Sequence, residues 1–140
     1  MPGLLRSLPQ MRYLLLSLCL ILTFGCNREP PRQLRVHGKI LVNGQPLAGG
    51  SVVFIPDEKR GTRGPIAFAV VDTDGGFDLA TESGPGAVVG WHVITVAPSP
   101  HSMNMIDGLE RYRHPDLSGL DYEVREGVEN NMVLKLEFNQ

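Results

Sequence analysis

The sequence predicts an all-β fold, a single β-sandwich of seven short strands within residues 34–140. Three observations support this prediction. Short runs rich in β-branched and aromatic residues follow one another from Leu34 onward. Glycine- and proline-rich turns separate these runs at intervals of roughly 8–12 residues. No stretch keeps a helical period, and no internal repeat is evident.

The first two strands are predicted on either side of an Asn-Gly turn. Apolar residues alternate with polar ones over residues 34–42, and Asn43-Gly44 follows as a strong hairpin signal. The second strand, residues 51–55, is a run of β-branched and aromatic residues that Pro56 closes. Residues 57–65 are polar and contain two glycines, which predicts a loop.

A tight turn separates the third and fourth predicted strands. The apolar run 66–71 leads into Asp72-Thr73-Asp74-Gly75-Gly76, and residues 77–79 alternate again. We therefore expect a hairpin across this turn. Residues 82–86 follow as a loop by composition.

Three more strands complete the predicted sandwich. Residues 91–97 form the fifth strand, which Pro98 ends. The last two strands are predicted at residues 121–124 and 132–138, joined by a turn around Gly127. The best core candidates are the large aromatic residues of the predicted strands, which are Phe54, Phe68, Phe77 and the sole tryptophan, Trp91.

The connection over residues 98–118 has no convincing period, apart from one helical turn expected within residues 105–112. It is longer than the roughly 12–15 residues usual for structureless connections. Its apolar residues could cover an end of the sandwich or meet a partner, and we favour the covering role. These residues are Met103, Met105, Ile106, Leu109 and Tyr112.

Residues 1–25 are predicted to be a signal peptide. Two arginines precede an apolar run over residues 13–24, whose length lies within the roughly 7–15 residues of a signal-peptide core. This run is too short for a spanning helix, which needs about 20 apolar residues. Removal of the first 25 of the 140 residues leaves 115, which is enough for one domain with its own core.

Cys26 is the most informative residue of the chain, because it is the only cysteine that remains once Cys19 leaves with the signal. The segment Leu22-Thr23-Phe24-Gly25-Cys26 resembles the lipobox of bacterial lipoproteins, in which a small residue precedes a cysteine that is diacylated and becomes the new N-terminus. The resemblance implies lipidation of Cys26, anchoring in a membrane, and a short extended tether over residues 26–33. The alternative is an ordinary secretory signal that leaves a free thiol.

The charge distribution argues against a nucleic-acid partner. The chain has a formal net charge of −2 at pH 7, whereas binding to phosphate backbones requires clustered Lys and Arg. The longest basic cluster, Lys59-Arg60-Gly61-Thr62-Arg63, lies beside two acidic residues in the polar loop. We interpret this cluster as part of a solvated loop.

A recognisable order of turn and strand motifs runs along the predicted domain. The motifs are residues 36–40, 43–52 and 73–79, then Gly86, Gly90 and residues 92–96. This order resembles the carboxypeptidase regulatory-like, transthyretin-like sandwich. Residues 49–56 and 112–120 are similar to phrases of small lipoproteins from planctomycete bacteria. The resemblance covers most of residues 34–138 and implies a seven-stranded Greek-key sandwich, but it says little about chemistry.

No metal or cofactor site is predicted. The four histidines lack the His-x-His or His-x-x-x-His spacing of a zinc site. Three aspartates lie near one turn, but the twelfth position of a calcium loop is a serine, so they predict a turn. The glycine-rich residues 84–90 precede a strand, unlike a phosphate-binding loop, which precedes a helix. The residues considered are His37, His92, His101, His114, Asp72, Asp74 and Asp78.

No catalytic residue is predicted either. The chain lacks a Gly-x-Ser-x-Gly elbow. Ser99, Ser102 and Ser118 lie near His101 and His114 only in sequence, which is poor evidence for a triad. Transthyretin-like folds include a hydrolase of 5-hydroxyisourate, whose chain ends in a Tyr-Arg-Gly-Ser-like tetrapeptide that lines its active site. This chain ends Glu-Phe-Asn-Gln, so the resemblance carries over no catalytic role.

We therefore expect a non-enzymatic lipoprotein of the bacterial cell envelope, periplasmic or on the outer surface, that acts as a binding or structural module. Its expected partners are the membrane, through the lipid anchor, and an envelope protein or polysaccharide. One alternative is a small hydrolase, which would bring His101 and His114 into one pocket. The other is a carbohydrate-binding module, which would expose coplanar rings, with Tyr112 and Tyr122 as the available tyrosines.

Overall fold

The computed structural model describes Gly25, residues 29–103 and residues 108–137. Within these ranges the fold is all-β, as predicted, and the helical segments are single short turns. These are the α-helical turns Pro100–Met103 and Pro115–Ser118 and the 3-10 turns Glu58–Arg60 and Glu110–Arg113.

The described strands belong to one compact unit, Pro31–Gln140. Of the other unit, Met1–Pro30, three residues are described, and all three are exposed. The predicted lipidation site, Cys26, and residues 1–24 of the predicted signal peptide lie outside the described residues.

The described residues form twelve strand segments, seven of which coincide with the predicted strands. The other five are two residues long, so a period of two could not reveal them in the sequence. The seven are β2 (Val36–Val42), β4 (Ser51–Pro56), β5 (Ala67–Val70), β6 (Gly76–Asp78), β10 (Gly90–Ala97), β11 (Leu120–Val124) and β12 (Asn130–Leu136). The five are β1 (Gln33–Leu34), β3 (Gln45–Pro46), β7 (Ala80–Thr81), β8 (Gly84–Pro85) and β9 (Ala87–Val88).

Two sheets contain most of these strands. The six-stranded sheet has the order β11-β10-β4-β5-β7-β8, and its neighbouring strands are antiparallel. In the four-stranded sheet, β12 runs parallel to β2, while β3 and β6 pair antiparallel with β2. The short strands β1 and β9 form a separate antiparallel ladder.

The hairpin predicted across residues 72–76 is wrong, although the turn itself forms. Gly75 N–H donates to the Asp72 carbonyl at 3.0 Å, and Gly76 N–H donates to Asp74 Oδ1 at 3.2 Å. The strands on either side belong to different sheets, because β5 pairs with β4 whereas β6 pairs with β2. A backbone bond from Ile40 N–H to the Gly75 carbonyl, at 2.9 Å, ties the turn to the four-stranded sheet.

The two sheets share one hydrophobic core. Phe54 and Phe77 come from different sheets, are buried, and have ring centroids 6.2 Å apart, so these two core predictions are confirmed. The prediction for Phe68 is wrong, because β5 turns two alanines inward and leaves Phe68 52% exposed. Trp91 is half-buried on the outward side of β10, because the adjacent His92 takes the inward position.

The connection over residues 98–118 contributes to the core. Leu109 and Tyr112 are buried and belong to the core cluster. The Tyr112 hydroxyl donates to the Glu137 carbonyl at 2.9 Å, just beyond β12. These contacts confirm the covering role for Leu109 and Tyr112, whereas Met105 and Ile106 lie outside the described residues.

Candidate functional surface

The chain enters the folded unit along its surface, next to the polar loop. β1 pairs with β9, and Val89 N–H donates to the Arg32 carbonyl at 3.0 Å. Pro31 packs on Gly64, because a Cβ at Gly64 would lie 3.3 Å from Pro31 Cγ. Pro31 and Arg32 are both exposed. The chain is therefore hydrogen-bonded to the fold from Arg32 onward, and it leaves the fold beside Gly64.

The outward side of the six-stranded sheet carries a group of apolar residues, which we call the outer apolar face. On β5, Phe68 and Val70 point outward and are 52% and 75% exposed. Ile66, directly before β5, is 50% exposed. Outward residues of β4 and β10 are half-buried and extend the face. The complete outer apolar face consists of Val53, Ile55, Ile66, Phe68, Val70 and Val93.

The strand register makes this face continuous. Val53 lies opposite Phe68 on one side and opposite Thr95 on the other, and Ile55 lies opposite Val93. Directly opposed residues of antiparallel strands have their Cβ atoms about 4.5–5.5 Å apart, so these side chains are neighbours. A solvated face of an antiparallel sheet normally carries polar residues. A contiguous exposed apolar face of this kind is a candidate for a binding surface.

Arg60 fastens the loop over residues 57–65, beside this face, to the six-stranded sheet. Its guanidinium donates to Asp57 Oδ2 at 2.6 Å and to Asp121 Oδ2 at 2.8 Å. It also lies 4.3 Å from the centroid of the Trp91 ring. Burial acts to raise the pKa of Asp57, but the hydrogen bond and charge of Arg60 outweigh it and lower that pKa. Asp57 therefore stays ionised and holds the loop in place.

Two other cations of this loop have no acidic partner. Lys59 and Arg63 are exposed, and neither side chain forms an ion pair within the described residues. Glu58 is exposed in the same loop and is also outside these ion pairs. The interpretation of a solvated basic loop therefore fits Lys59 and Arg63, whereas Arg60 has a structural role.

Two shallow grooves flank the turn between β11 and β12. One, of about 410 Å³, is lined in part by Trp91 and Tyr122. The other, of about 490 Å³, is lined in part by His37, Asp78 and Glu129. His37 Nε2 lies 3.4 Å from Glu129 Oε1. Across the described ranges, no group of three or more His, Cys, Asp or Glu side chains could hold a metal ion.

The aromatic residues beside the first groove are not arranged as a platform for stacking sugars. Arg60 covers one face of the Trp91 ring. The Tyr122 ring is half-buried, with its centroid 6.3 Å from that of Phe54, and Tyr112 is buried in the core. The carbohydrate-binding alternative therefore stays untested.

His92 is a buried strand histidine. It is fully buried on the inward side of β10, with its ring centroid 6.0 Å from that of Phe54. Its Nδ1 lies 3.0 Å from the Gly90 carbonyl, and because a carbonyl oxygen only accepts, Nδ1 carries the proton. Its Nε2 has no hydrogen-bond partner within the described part of the chain. Burial lowers the pKa of His92, although the bond to Gly90 acts in the opposite direction.

The structure places His101, His114, Ser99 and Ser118, whereas the side chain of Ser102 lies outside the described residues. His101 is exposed on the turn Pro100–Met103, and Ser99 directly precedes this turn. His114 Nε2 lies 3.7 Å from Glu110 Oε1, and neither histidine lines the two grooves described above. The buried Ser118 hydroxyl instead accepts the Leu120 N–H at 3.3 Å.

The glycine-rich residues 84–90 serve close packing. Gly86 has φ 99° and approaches the backbone of Leu34, and Gly90 has φ 125° and approaches the side chain of Thr62. A Cβ at either position would clash with these atoms, and both φ values favour glycine. This segment needs its glycines for the fold, and no helix follows it.

No protein-family model, curated protein or solved structure matches this chain. In the described part of the chain, every helix is too short or too polar to cross a membrane. The resemblance to transthyretin-like sandwiches and to planctomycete lipoproteins therefore stays a prediction.

The outer apolar face and the contact between Arg60 and Trp91 were not predicted from the sequence. Residues 66–70 do alternate large apolar residues with alanines, but the larger set was assigned to the core through Phe68. Alternation shows that two sets of side chains point in opposite directions, and it does not show which set is buried. No sequence signal links Arg60 to Trp91, because the contact depends on how the loop folds back.

Proposed function

We propose that this chain is a non-enzymatic lipoprotein of the bacterial cell envelope, anchored in a membrane by an acylated Cys26. Its folded unit is a seven-stranded, Greek-key sandwich of the transthyretin-like type that works as a binding or structural module. The lipobox-like segment that ends at Cys26 supports the anchor. The outer apolar face supports a binding role.

The observation that carries the proposal is the place where the folded unit begins. This unit begins at an exposed position, five residues after Cys26. Pro31 lies on the surface, and the first fully buried core residue is Val36. Acyl chains on Cys26 therefore do not compete with the packing of the core. Each buried acyl CH₂ adds about 0.8 kcal/mol of membrane affinity, so two or more chains give a stable anchor.

The substitution Cys26→Ser tests the anchor. We expect the wild-type protein in the membrane fraction and the Cys26→Ser protein in the soluble fraction, because serine has no thiol to acylate. Mass spectrometry of the N-terminal peptide should find the added mass of the acyl groups on wild-type Cys26. Cys19→Ser is the matched control and should leave the membrane fraction unchanged. Equal membrane association of Cys26→Ser and wild type would contradict the proposal.

A further inference from the structure

We propose that the outer apolar face rests on the surface of the lipid bilayer that holds the anchor. The six-stranded sheet would then lie against the membrane instead of moving freely on its tether. This inference rests on the proposed lipid anchor. Three features favour a bilayer as the occupant: the composition of the face, the place where the chain leaves the fold, and the cations beside it.

The composition of the face suits the boundary between headgroups and acyl chains. Its most exposed members, Ile66, Phe68 and Val70, have half or more of their surface in water and are adjacent along one short segment. Aromatic and branched aliphatic side chains of this kind insert into that boundary. Covering them removes apolar surface from water, which is favourable.

The chain leaves the fold at the border of this face. Pro31 packs on Gly64, and Gly64 lies two residues before Ile66. The five residues from Cys26 to Pro31 span at most about 18 Å even when fully extended. An acylated Cys26 therefore holds the Ile66 end of the face close to the bilayer. This tethering raises the effective concentration of the face at the lipid surface, so weak insertion is sufficient.

The two cations without an ion pair among the described residues lie at the same end of the face. Lys59 and Arg63 belong to the loop that directly precedes Ile66 and are exposed. Juxtamembrane Lys and Arg are attracted to anionic headgroups over about one Debye length. Glu58 in the same loop reduces this attraction. Asp121 and Glu123 lie opposite Val93 and Trp91 on the outward side of β11, where they are paired with Arg60 and Arg125. The apolar residues therefore supply the main contact, and Lys59 and Arg63 favour an anionic leaflet.

A fluorophore placed on the face tests the inference in the full lipidated protein. After acylation of Cys26 and removal of the signal peptide, an introduced cysteine is the only reactive thiol. Phe68→Cys is labelled with nitrobenzoxadiazole, and the protein is reconstituted in vesicles of phosphatidylethanolamine and phosphatidylglycerol that contain a quencher lipid. We expect blue-shifted emission and several-fold stronger quenching than at a control position.

Val133→Cys provides that matched control. Val133 is 55% exposed, close to the 52% of Phe68, but it lies on β12 of the other sheet. Its label should emit as in water and should not be quenched. A second pair, Val70→Cys and Leu117→Cys, repeats the comparison at other exposed apolar positions if Phe68→Cys does not fold.

The outcomes separate the inference from the anchor. Equal quenching at residues 68 and 133 in protein that floats with the vesicles would overturn the inference and leave the anchor intact. A label at residue 68 that becomes shielded in detergent as the protein concentration rises would assign the face to a second copy, and would also overturn it. If the wild-type protein does not float with vesicles, the proposed function fails and this inference fails with it.

Discussion

At the scale of single residues, the groups buried between the two sheets have the clearest consequences for stability. His92 is the main example. Among the described residues its buried ring makes one hydrogen bond, from Nδ1 to the Gly90 carbonyl, and its Nε2 has no partner. A proton on Nε2 would place a charge beside the Phe54 ring without an acceptor.

We expect the free energy of unfolding to fall as the pH drops from about 7 to about 5. The pKa of His92 in the folded state lies below its ordinary value of 6.5, so the unfolded chain takes up a proton first. The stability due to neutral His92 is present above about pH 6.5 and is lost as the pH falls toward the lower folded-state pKa. The slope is at most about 1.4 kcal/mol per pH unit. Urea unfolding at a series of pH values measures it.

Two variants identify the group responsible. His92→Asn keeps an amide N–H near the position of Nδ1 for the Gly90 carbonyl and cannot titrate, so it should flatten the pH dependence. His37→Asn is the matched control, since it removes an imidazole from β2 of the other sheet and leaves His92 in place. The same slope in His92→Asn as in wild type would contradict this assignment.

Gly38 is a second position where a single added carbon atom should affect stability. It lies in the middle of β2, which pairs with β6 on one side and with β12 on the other. A Cβ there would clash with the backbone carbonyl oxygen of Met132, which cannot move without distorting β12, and would lie 2.8 Å from Phe77 Cζ. We expect Gly38→Ala to lower the free energy of unfolding by about 1–3 kcal/mol through overpacking. In the control Gly76→Ala, the nearest atom is Asp74 Oδ1 at 3.2 Å. This carboxylate can move, so we expect less than about 1 kcal/mol. Equal losses in denaturant titrations would refute the packing argument.

At the scale of elements, two of the short connections that carry the chain from one sheet to the other are turns held by side chains. The first follows β5 at residues 72–76, as described above. The second joins β11 to β12, and the buried Asn130 side chain holds it. Arg125 N–H donates to Asn130 Oδ1 at 2.9 Å, and Asn130 Nδ2 donates to the Arg125 carbonyl at 3.0 Å. These side-chain bonds take the place of a strand ladder where the chain changes sheets.

The Tyr112 hydroxyl is expected to fasten the connection over residues 98–118 to the end of β12. It donates to the Glu137 carbonyl at 2.9 Å and accepts the Glu137 N–H at 3.3 Å. We expect Tyr112→Phe to lower the free energy of unfolding by about 1 kcal/mol, because both bonds are lost while the ring stays packed. Tyr122→Phe is the control, since its hydroxyl lies 3.5 Å from Asn130 Oδ1, and it should cost less. Thermal melts compare the two, and a larger loss in Tyr122→Phe would reverse this ranking.

At the scale of the whole molecule, the positions of the seven longer strands could be predicted because alternation and turn chemistry are local properties. The partners of those strands could not be predicted in the same way. The turn at residues 72–76 has every local feature of a hairpin, yet a hydrogen bond to Ile40 in another strand decides the pairing of β6. The parallel pairing of β2 with β12 also depends on contacts between distant parts of the chain.

The candidate site also combines a feature that could be predicted from local sequence with one that depends on distant contacts. Cys26 could be proposed from five consecutive residues, because an acylation signal is read along the chain. The outer apolar face could not be proposed, because it depends on which side of β5 the second sheet covers. Phe68 and the inward alanines beside it exchange roles if that side changes.

The parallel ladder between β2 and β12 joins two strands that lie far apart in the sequence, and this separation has a consequence for folding. Val36 pairs with Asn130 and Val42 pairs with Leu136, so β2, the first of the seven longer strands described, pairs with β12, the last of them. β12 can pair with β2 only after residues 130–136 have been synthesised. The four-stranded sheet is therefore expected to form late in folding, because its central ladder joins segments that are far apart in the sequence.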